Sequence, residues 1–392
     1  MTDFEWILKP RSVDEFLSTS YNKRAVLLRE PTRSFADLFG WEKLNAALNA
    51  APAVHPTVRL TKHEKKVPVQ DSIDIINQVR DGATLIFEHL DRYDAMVGRL
   101  ADSVSADTCE DTRVNLYLSC PQHFGFLRHY DTQDVFVLQI EGVKRWRVWE
   151  PTVEAPLFFQ KTHGLEPPSE DSKYLDVEVR PGDVLYIPRG HWHDALAQTE
   201  PTIHLTLSVF VRTGIDFFAW LINELREHPE FRRSLPFVPA VSGNRGAWAT
   251  ALADEAGRLG EVLAEHANDS RTALAFDQHR VATQRDRGPF RFPHHFGLGA
   301  DEILAATCER SKRPCLITPS ETEGGGVDLT VRGLVLHFPS GAEAFLSLVF
   351  SSSRFVGAAL AASVECPEPL ARSVLRTLVI EGLITVVGSD RM

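Results

Sequence analysis

The sequence predicts an α+β chain: a mixed α and β opening, a closed or sandwiched antiparallel β structure, a run of helices and a small third domain. Three observations carry this prediction. Short alternating apolar segments separated by Gly, Pro and Asp turns fill residues 57 to 212, the periodicity turns helical after Thr213, and the composition shifts again near Pro289. A chain of 392 residues with 43% hydrophobic content can bury a sizeable core and has room for two or three domains.

In the opening, "RSVDEFLSTSY" reads as a helix, "RAVLLRE" as a strand and "SFADLFGWEKLNAALN" as a helix opened by Ser34. The strand-rich part follows with "TVRLT", "ATLIFEHL", "VNLYLSC", "DVFVLQIEG", "KRWRVWEP", "LDVEVRPGDVLYIPRG" and "IHLTLSVFV". Strands this short and this evenly spaced suggest closure into a barrel or sandwich. Two amphipathic helices come next. "IDFFAWLINELREHPEFRRSL" gathers Phe217, Trp220, Leu221 and Leu225 on one side, and "GAWATALADEAGRLGEVLAEHA" repeats the pattern. A charged linker, "DQHRVATQRDRGP", leads into the last part. There "DEILAATCERS", a hairpin around "VDLTVRGLVLHFP", then two helices and a strand fall in the order of a winged helix. Arg372 and Arg376 are offset by Glu368 and Glu381, so a packing or partner module is expected rather than a DNA reader. The expected boundaries are 1–212, 213–288 and 289–392.

A formal charge of −11 argues against an indiscriminate nucleic-acid binder, because phosphate contacts need clustered Lys and Arg. A basic partner is electrostatically allowed, although many proteins are this acidic for solubility alone. "MTDFEW" has no basic region followed by an apolar run, and no stretch approaches the ~20 apolar residues of a membrane span, so no membrane association and a cytoplasmic location are expected. Cys109, Cys120, Cys308, Cys315 and Cys366 are scattered and form no C-x-x-C pair, which disfavours both disulfide scaffolding and a thiolate zinc site.

The chemistry concentrates in two segments. In "LRHYDTQDVFVLQIEGVKRWRVW", residues 127 to 149, a strand would project His129 and Asp131 to one face and Tyr130 to the other. Alone, H-x-D is weak. A second segment, "RPGDVLYIPRGHWHDA" at 180 to 195, reads as a Pro-Gly-Asp turn, a buried strand and a histidine-bearing loop, and two histidines with one carboxylate make the facial triad of non-haem Fe(II) oxygenases. His129 and Asp131 are joined by His193 or, on parity alone, by His191. His123, His163, His294 and His295 read as ordinary surface or loop histidines. Polar alternation reinforces the picture: His204, Thr206 and Ser208 share one face of a strand, and Asn115, Tyr117 and Ser119 one face of another. Without a triad, a solvent-exposed face would explain these equally well. Lys144 alternates with Trp146 and Val148, which turns it inward and leaves Arg145 and Arg147 outside. A buried lysine needs an anion. On parity alone a surface lysine fits equally well.

These two segments resemble the JmjC-type cupin oxygenases, and most closely their ribosomal oxygenase branch. "HYDTQDVFVLQIEGVKRWRVW" is similar to the pattern H-x-D-x-x-[DE]-V-F-[IV]-x-Q-x-x-G-x-[RK]-x-W, and "PGDVLYIPRGHWHDA" to P-G-D-x-L-Y-[IF]-P-x-G-x-x-H. The resemblance implies a double-stranded β-helix (the JmjC/cupin jelly roll) followed by a helical dimerisation region and a winged-helix-like C-terminal domain. It puts the third ligand on His193 and the 2-oxoglutarate anchor on Lys144, with Asn115, Tyr117 and Thr206 near pocket-lining positions. It also implies an Fe(II)- and 2-oxoglutarate-dependent dioxygenase using O2, a homodimer, and a protein or peptide substrate such as an Arg or His side chain of a ribosomal protein. The bulky His191-Trp192 pair departs from the pattern and is expected to reshape the substrate mouth. The same chemistry on a small molecule or biosynthetic peptide, and a non-catalytic cupin scaffold, stay open as alternatives. Histone demethylation is disfavoured by the ribosomal-oxygenase-like tail.

Overall fold

The computed structural model describes residues 3–50, 57–62, 65–69, 71–121, 126–198, 200–236, 245–284, 298–311, 315–320, 324–331 and 334–387. His123, His294 and His295 lie outside them. Internal contacts divide the chain into two compact units: Met1–Val211 with Arg285–Leu329 and Leu336–Met392, and Arg212–Gln284 with Thr330–Val335.

The first unit opens with α1 (Asp3–Leu8), α2 (Val13–Thr19), β1 (Val26–Leu28), α3 (Trp41–Ala50), β2 (Val58–Lys62), β3 (Lys65–Val67), α4 (Ser72–Arg80), β4 (Thr84–Phe87) and α5 (Ala95–Thr108). Long strands follow: β5 (Asp111–Ser119), β6 (Asp134–Glu141), β7 (Lys144–Trp149), β8 (Leu175–Val179), β9 (Val184–Ile187), β10 (Trp192–Ala197) and β11 (Thr202–Phe210). They pair antiparallel into a large sheet, β1-β9-β6-β11-β5-β4-β2-β3, and a small one, β10-β7-β8.

Alternation along the strands builds two different layers. On β11, Ile203, Leu205, Leu207 and Val209 face outward into a large core shared with α1, α2 and α5, and Phe136, Leu138 and Ile140 of β6 do the same. Opposite parities face the small sheet. Val135, Val137, Leu185 and Ile187 meet Trp146, Val148 and Val179 there. The large sheet is thus covered on one face by helices and on the other by the small sheet, and the two sheets form the expected jelly-roll sandwich. The polar parities of β5 and β11 therefore turn into the sandwich, not toward solvent.

Several expectations need correction. The helix opened by Ser34 starts only at Trp41, because Phe35, Leu38 and Phe39 are all buried and a turn before Gly40 aims them into the core. The strand-rich stretch contains two helices, α4 and α5, each capped by an aspartate, Asp71 and Asp94, whose side chain accepts from the first-turn amides. His129 to Asp131 is not a regular strand; it is an extended segment with a single bridge to His193. His193 sits in β10, not in a loop.

In the second unit, α6 (Gly214–Glu224) carries a capping box between Thr213 and Asp216, and is followed by α7 (Arg245–Ala267) and α8 (Ser270–Ala282). The first half of the expected linker is the end of α8. Trp220, Leu221 and Leu225 form the centre of a small core with Phe217 and Phe276 packed against it.

The C-terminal segment of the first unit begins with α9 (Ala300–Ala305) and β12 (Thr307–Arg310). Strands β13 (Leu316–Pro319), β14 (Val327–Val331) and β15 (Leu334–Phe338) form one sheet. They are followed by α10 (Glu343–Ser351), β16 (Arg354–Val356), α11 (Gly357–Ser363), α12 (Glu368–Ile380) and β17 (Ile384–Val386), and β16-β12-β17 form another sheet.

Arg33 ties the helical opening to the sandwich. It is buried, and its guanidinium donates to the carbonyls of Ile7, Lys9, Leu28 and Gly182. An Arg33→Met substitution strands these carbonyls and is expected to lower the unfolding free energy by at least about 2 kcal/mol, measured as a shift of the urea midpoint.

Candidate metal centre

Two separate segments meet at the mouth of the sandwich. The backbone amide of His193 donates to the carbonyl of His129 at 2.7 Å, and the amide of His129 returns the bond to His193 at 3.1 Å. Gly190 N adds a third link to the Asp131 carbonyl at 2.8 Å. Asp134, buried at the start of β6, accepts from Arg189 N at 2.9 Å and from the Tyr186 hydroxyl at 3.0 Å, fixing the turn that leads into β10. The left-handed Gly190 in that turn packs so closely on Pro156 and the Val153 carbonyl that a Cβ would not fit.

This zipper brings His129, Asp131 and His193 together, with one donor atom of each within 4.8 Å of the others. His193 Nε2 lies 3.6 Å from Asp131 Oδ2. Each imidazole donates its Nδ1–H to a carbonyl two residues earlier, His129 to Leu127 at 2.8 Å and His193 to His191 at 3.0 Å. Both Nε2 lone pairs are thereby free, the tautomer a metal requires. Burial and the neighbouring His129 push the His193 pKa down to about 4, which keeps it neutral. Two neutral imidazoles and one carboxylate on one side of a point fit a divalent first-row metal with open positions opposite.

His191 does not join them. The Tyr174 hydroxyl, which accepts from Ala25 N, shares a hydrogen bond with His191 Nδ1 at 2.7 Å and holds the ring off the cavity lining. Trp192 is buried against Tyr130, their rings edge to face, and its indole N–H donates to Thr152. Neither side chain lines the cavity, so the expectation that this pair reshapes the mouth is corrected: both residues stabilise the wall behind the donors.

Beside the triad lies a cavity of about 430 Å³. Lys144 projects into it from β7, almost fully buried, and its Nζ has Ser119 Oγ at 3.2 Å as hydrogen-bond partner. Among the described residues no carboxylate pairs with it. Burial alone pushes its pKa down to about 7. A cation held in this way is a receptor for an anion.

Tyr117 and Thr206 line the cavity, whereas Asn115 does not: its Oδ1 is engaged by His89 N. Burial, with Asp131 adding to it, pushes the Tyr117 pKa up to about 12 and keeps the phenol protonated. His204 was visible in the sequence only as part of a polar face. It stacks on Tyr117 at 5.0 Å, meets Trp146 edge-on, and among the described residues its buried Nδ1 has no partner. Burial and then Lys144 drive its pKa well below the ordinary value. Ser119, the partner of Lys144, was likewise not singled out. His163, expected to be an ordinary loop histidine, is exposed yet lines the cavity rim.

Residues 89–217 match the family profile described as a JmjC domain. That stretch of the chain is similar to a JmjC domain. Among curated proteins, this chain is 30% identical over 262 residues to Ribosomal oxygenase 1 of Bos taurus, covering 59% of this chain and 38% of that one. It is 40% identical over 97 residues to the bifunctional lysine-specific demethylase and histidyl-hydroxylase NO66 of Drosophila persimilis, covering 24% and 14%. It therefore spans well under half the length of these relatives. The fold matches the X-ray structure of E. coli ycfD with a TM-score of 0.66 at 19% identity, covering 95% of this chain and 97% of that one. It also matches YcfD, a ribosomal oxygenase, in complex with cobalt and 2-oxoglutarate, with a TM-score of 0.64 at 18% identity over 96% and 98%. The triad and Lys144 fall within the matched residues 89–217.

Asp131→Ala is expected to weaken Co(II) binding by about 100-fold or more, beyond the 10–100-fold typical of a change one bond further from the metal. Titration of the visible Co(II) absorption measures it.

Proposed function

We propose that this chain is an Fe(II)- and 2-oxoglutarate-dependent oxygenase that hydroxylates a side chain of a protein or peptide, with ribosomal protein side chains as the preferred class. The observation that carries the reading is a two-His, one-carboxylate donor set sharing one cavity with a buried lysine that has no anionic partner among the described residues. The names of the relatives, Ribosomal oxygenase 1 and histidyl-hydroxylase, support the substrate class.

His129 and His193 hold the metal through Nε2 and Asp131 through its carboxylate. When bound, the metal with 2-oxoglutarate and O2 supplies the oxidising chemistry: one oxygen atom enters a substrate C–H bond, the other enters succinate, and carbon dioxide leaves. Lys144 takes the distal carboxylate of 2-oxoglutarate, assisted by Ser119 and flanked by Tyr117, Thr206 and His204. The apolar wall of Val135, Val137 and Trp146 keeps water from the reacting centre and strengthens the Lys144 pairing.

The same reading assigns the rest of the chain. Residues 213–288 serve as a dimerisation region, supported by Ile215, Phe218 and Ile222, which leave one face of α6 exposed and apolar. Residues 289–392 form a winged-helix-like partner module, and 1–212 the catalytic part. Arg372 is paired with Glu368 and so is not free for phosphate. The assigned compartment is the cytoplasm; among the described residues no helix is long and apolar enough to cross a membrane.

Purified protein with Fe(II) is expected to convert 2-oxoglutarate to succinate, and Asp131→Ala to lose this. If the unaltered protein forms no succinate, the enzyme reading fails. The lysine gives a second check. Free Lys144, with its pKa near 7, is mostly uncharged at pH 8, and a carboxylate partner raises that pKa. Binding of 2-oxoglutarate to the Co(II) form at pH 8 is thus expected to take up about one proton, lost in Lys144→Met. Calorimetry in buffers of different ionisation enthalpy counts it. Affinity is expected to fall as pH rises above 7.

A further inference from the structure

The loop between β7 and β8 carries a feature that metal and co-substrate binding leave unused. Phe158 and Phe159, adjacent in sequence, are 72% and 76% exposed. Isolated apolar residues on a surface need no explanation, but two neighbouring phenylalanines, one of them under a lysine that lines the cavity, do. Their position is fixed by contacts. Lys161 lines the cavity, its Nζ sits 4.3 Å from the Phe158 ring centre, and the same amine reaches Thr132 Oγ1, one residue after Asp131, at 3.3 Å.

The turn holding these rings is ordered by specific bonds. Gln160 N donates to the Leu157 carbonyl, Leu157 N donates to Gln160 Oε1, and the Tyr130 hydroxyl donates to the Gln160 carbonyl at 3.1 Å. Tyr130 lies between His129 and Asp131, so the aromatic pair is anchored directly to the segment that carries two of the three donors. Leu127, 53% exposed, stands two residues before His129, and its carbonyl is held by that ring. Apolar surface therefore flanks the donor segment at both ends.

We infer that this loop is a docking lip for an extended polypeptide that carries a large apolar residue close to the side chain being oxidised. The inference rests on the oxygenase reading and deepens it by naming a feature the polypeptide substrate must carry, a large apolar residue beside the oxidised position. An extended chain advances ~3.3 Å per residue with side chains on alternating sides. A chain crossing the mouth that sends one side chain to the metal must lay its near neighbours beside the donor segment, where Leu127 precedes His129 and Lys161 ties Phe158 to Thr132. A small molecule enclosed in the cavity would not touch rings this exposed. Anchoring the lip in advance lowers the ordering cost of binding.

The test uses the Co(II)- and 2-oxoglutarate-loaded full chain and two synthetic peptide libraries with randomised centres, one flanked by Leu and Phe, the other by Ser and Asn. Retained peptides are quantified by mass spectrometry. The unaltered protein is expected to retain the apolar-flanked library roughly tenfold better, and Phe158→Ser/Phe159→Ser to lose that preference. In the variant, Co(II) and 2-oxoglutarate affinities and peptide-free succinate formation should be unchanged, since neither ring touches the donors or Lys144. Equal retention of both libraries by the unaltered protein, retention of neither, or an undiminished preference in the variant overturns the lip. Those results leave the enzyme reading standing if succinate still forms. Absent succinate formation with an intact library preference would instead defeat the enzyme reading alone.

Discussion

Two backbone hydrogen bonds between His129 and His193 hold the site together. They join a segment that precedes β6 of the large sheet to the second residue of β10 in the small sheet. Without them the two imidazoles belong to different layers of the sandwich. With them, the ring centres stand 4.5 Å apart and both Nε2 atoms converge on Asp131. The supports of this bridge are backbone groups or buried side chains: Gly190 N on the Asp131 carbonyl, Asp134 on Arg189 N, and Tyr174 on His191. His191 and Trp192 matter here as structure, because the His191 carbonyl sets the tautomer of His193 while Trp192 fills the wall behind it.

The second constraint is the placement of apolar residues. The large sheet sends its most apolar parity outward, under α1, α2 and α5, and its polar parity inward. That arrangement lets Lys144, Ser119, Tyr117, His204 and Thr206 share a cavity without exposing the sheet's hydrophobic face to water. It also leaves buried polar groups short of partners: among the described residues, Lys144 has no anion and His204 Nδ1 no hydrogen bond. Such groups destabilise a fold unless a ligand completes them. In this chain they mark one wall of one cavity, which a dicarboxylate would satisfy on one side while the metal donors hold the other.

The sequence made parts of this legible and hid others for physical reasons. Strict alternation on β5, β7 and β11 revealed which side chains share a face, but parity with Trp146 and Val148 left Lys144 open between the interior and the surface, and burial in β7 settles it. Alternation could not say whether a polar face meets water or a cavity, because that depends on which sheet covers it. It also could not choose between His191 and His193, which have the same parity; the choice came from resemblance and, in the structure, from the Tyr174 hydroxyl. The engagement of Asn115 Oδ1 by His89 N is a long-range contact with no local signature in the sequence. Helices α4 and α5 were missed where strand-like runs surrounded them, although Asp71 and Asp94 were available as capping signals. The exposed Phe158 and Phe159 gain meaning only from the Tyr130–Gln160 bond, which sequence separation conceals.

The account stands or falls on whether one ion and one dicarboxylate occupy the positions that the bridge and Lys144 define. Anomalous diffraction from crystals of the Co(II)–2-oxoglutarate complex tests this most directly. A single cobalt peak bonded to His129 Nε2, His193 Nε2 and Asp131, with the distal carboxylate on Lys144 Nζ, is the predicted result. Cobalt bound elsewhere, or a carboxylate that leaves Lys144 unpaired, would contradict it.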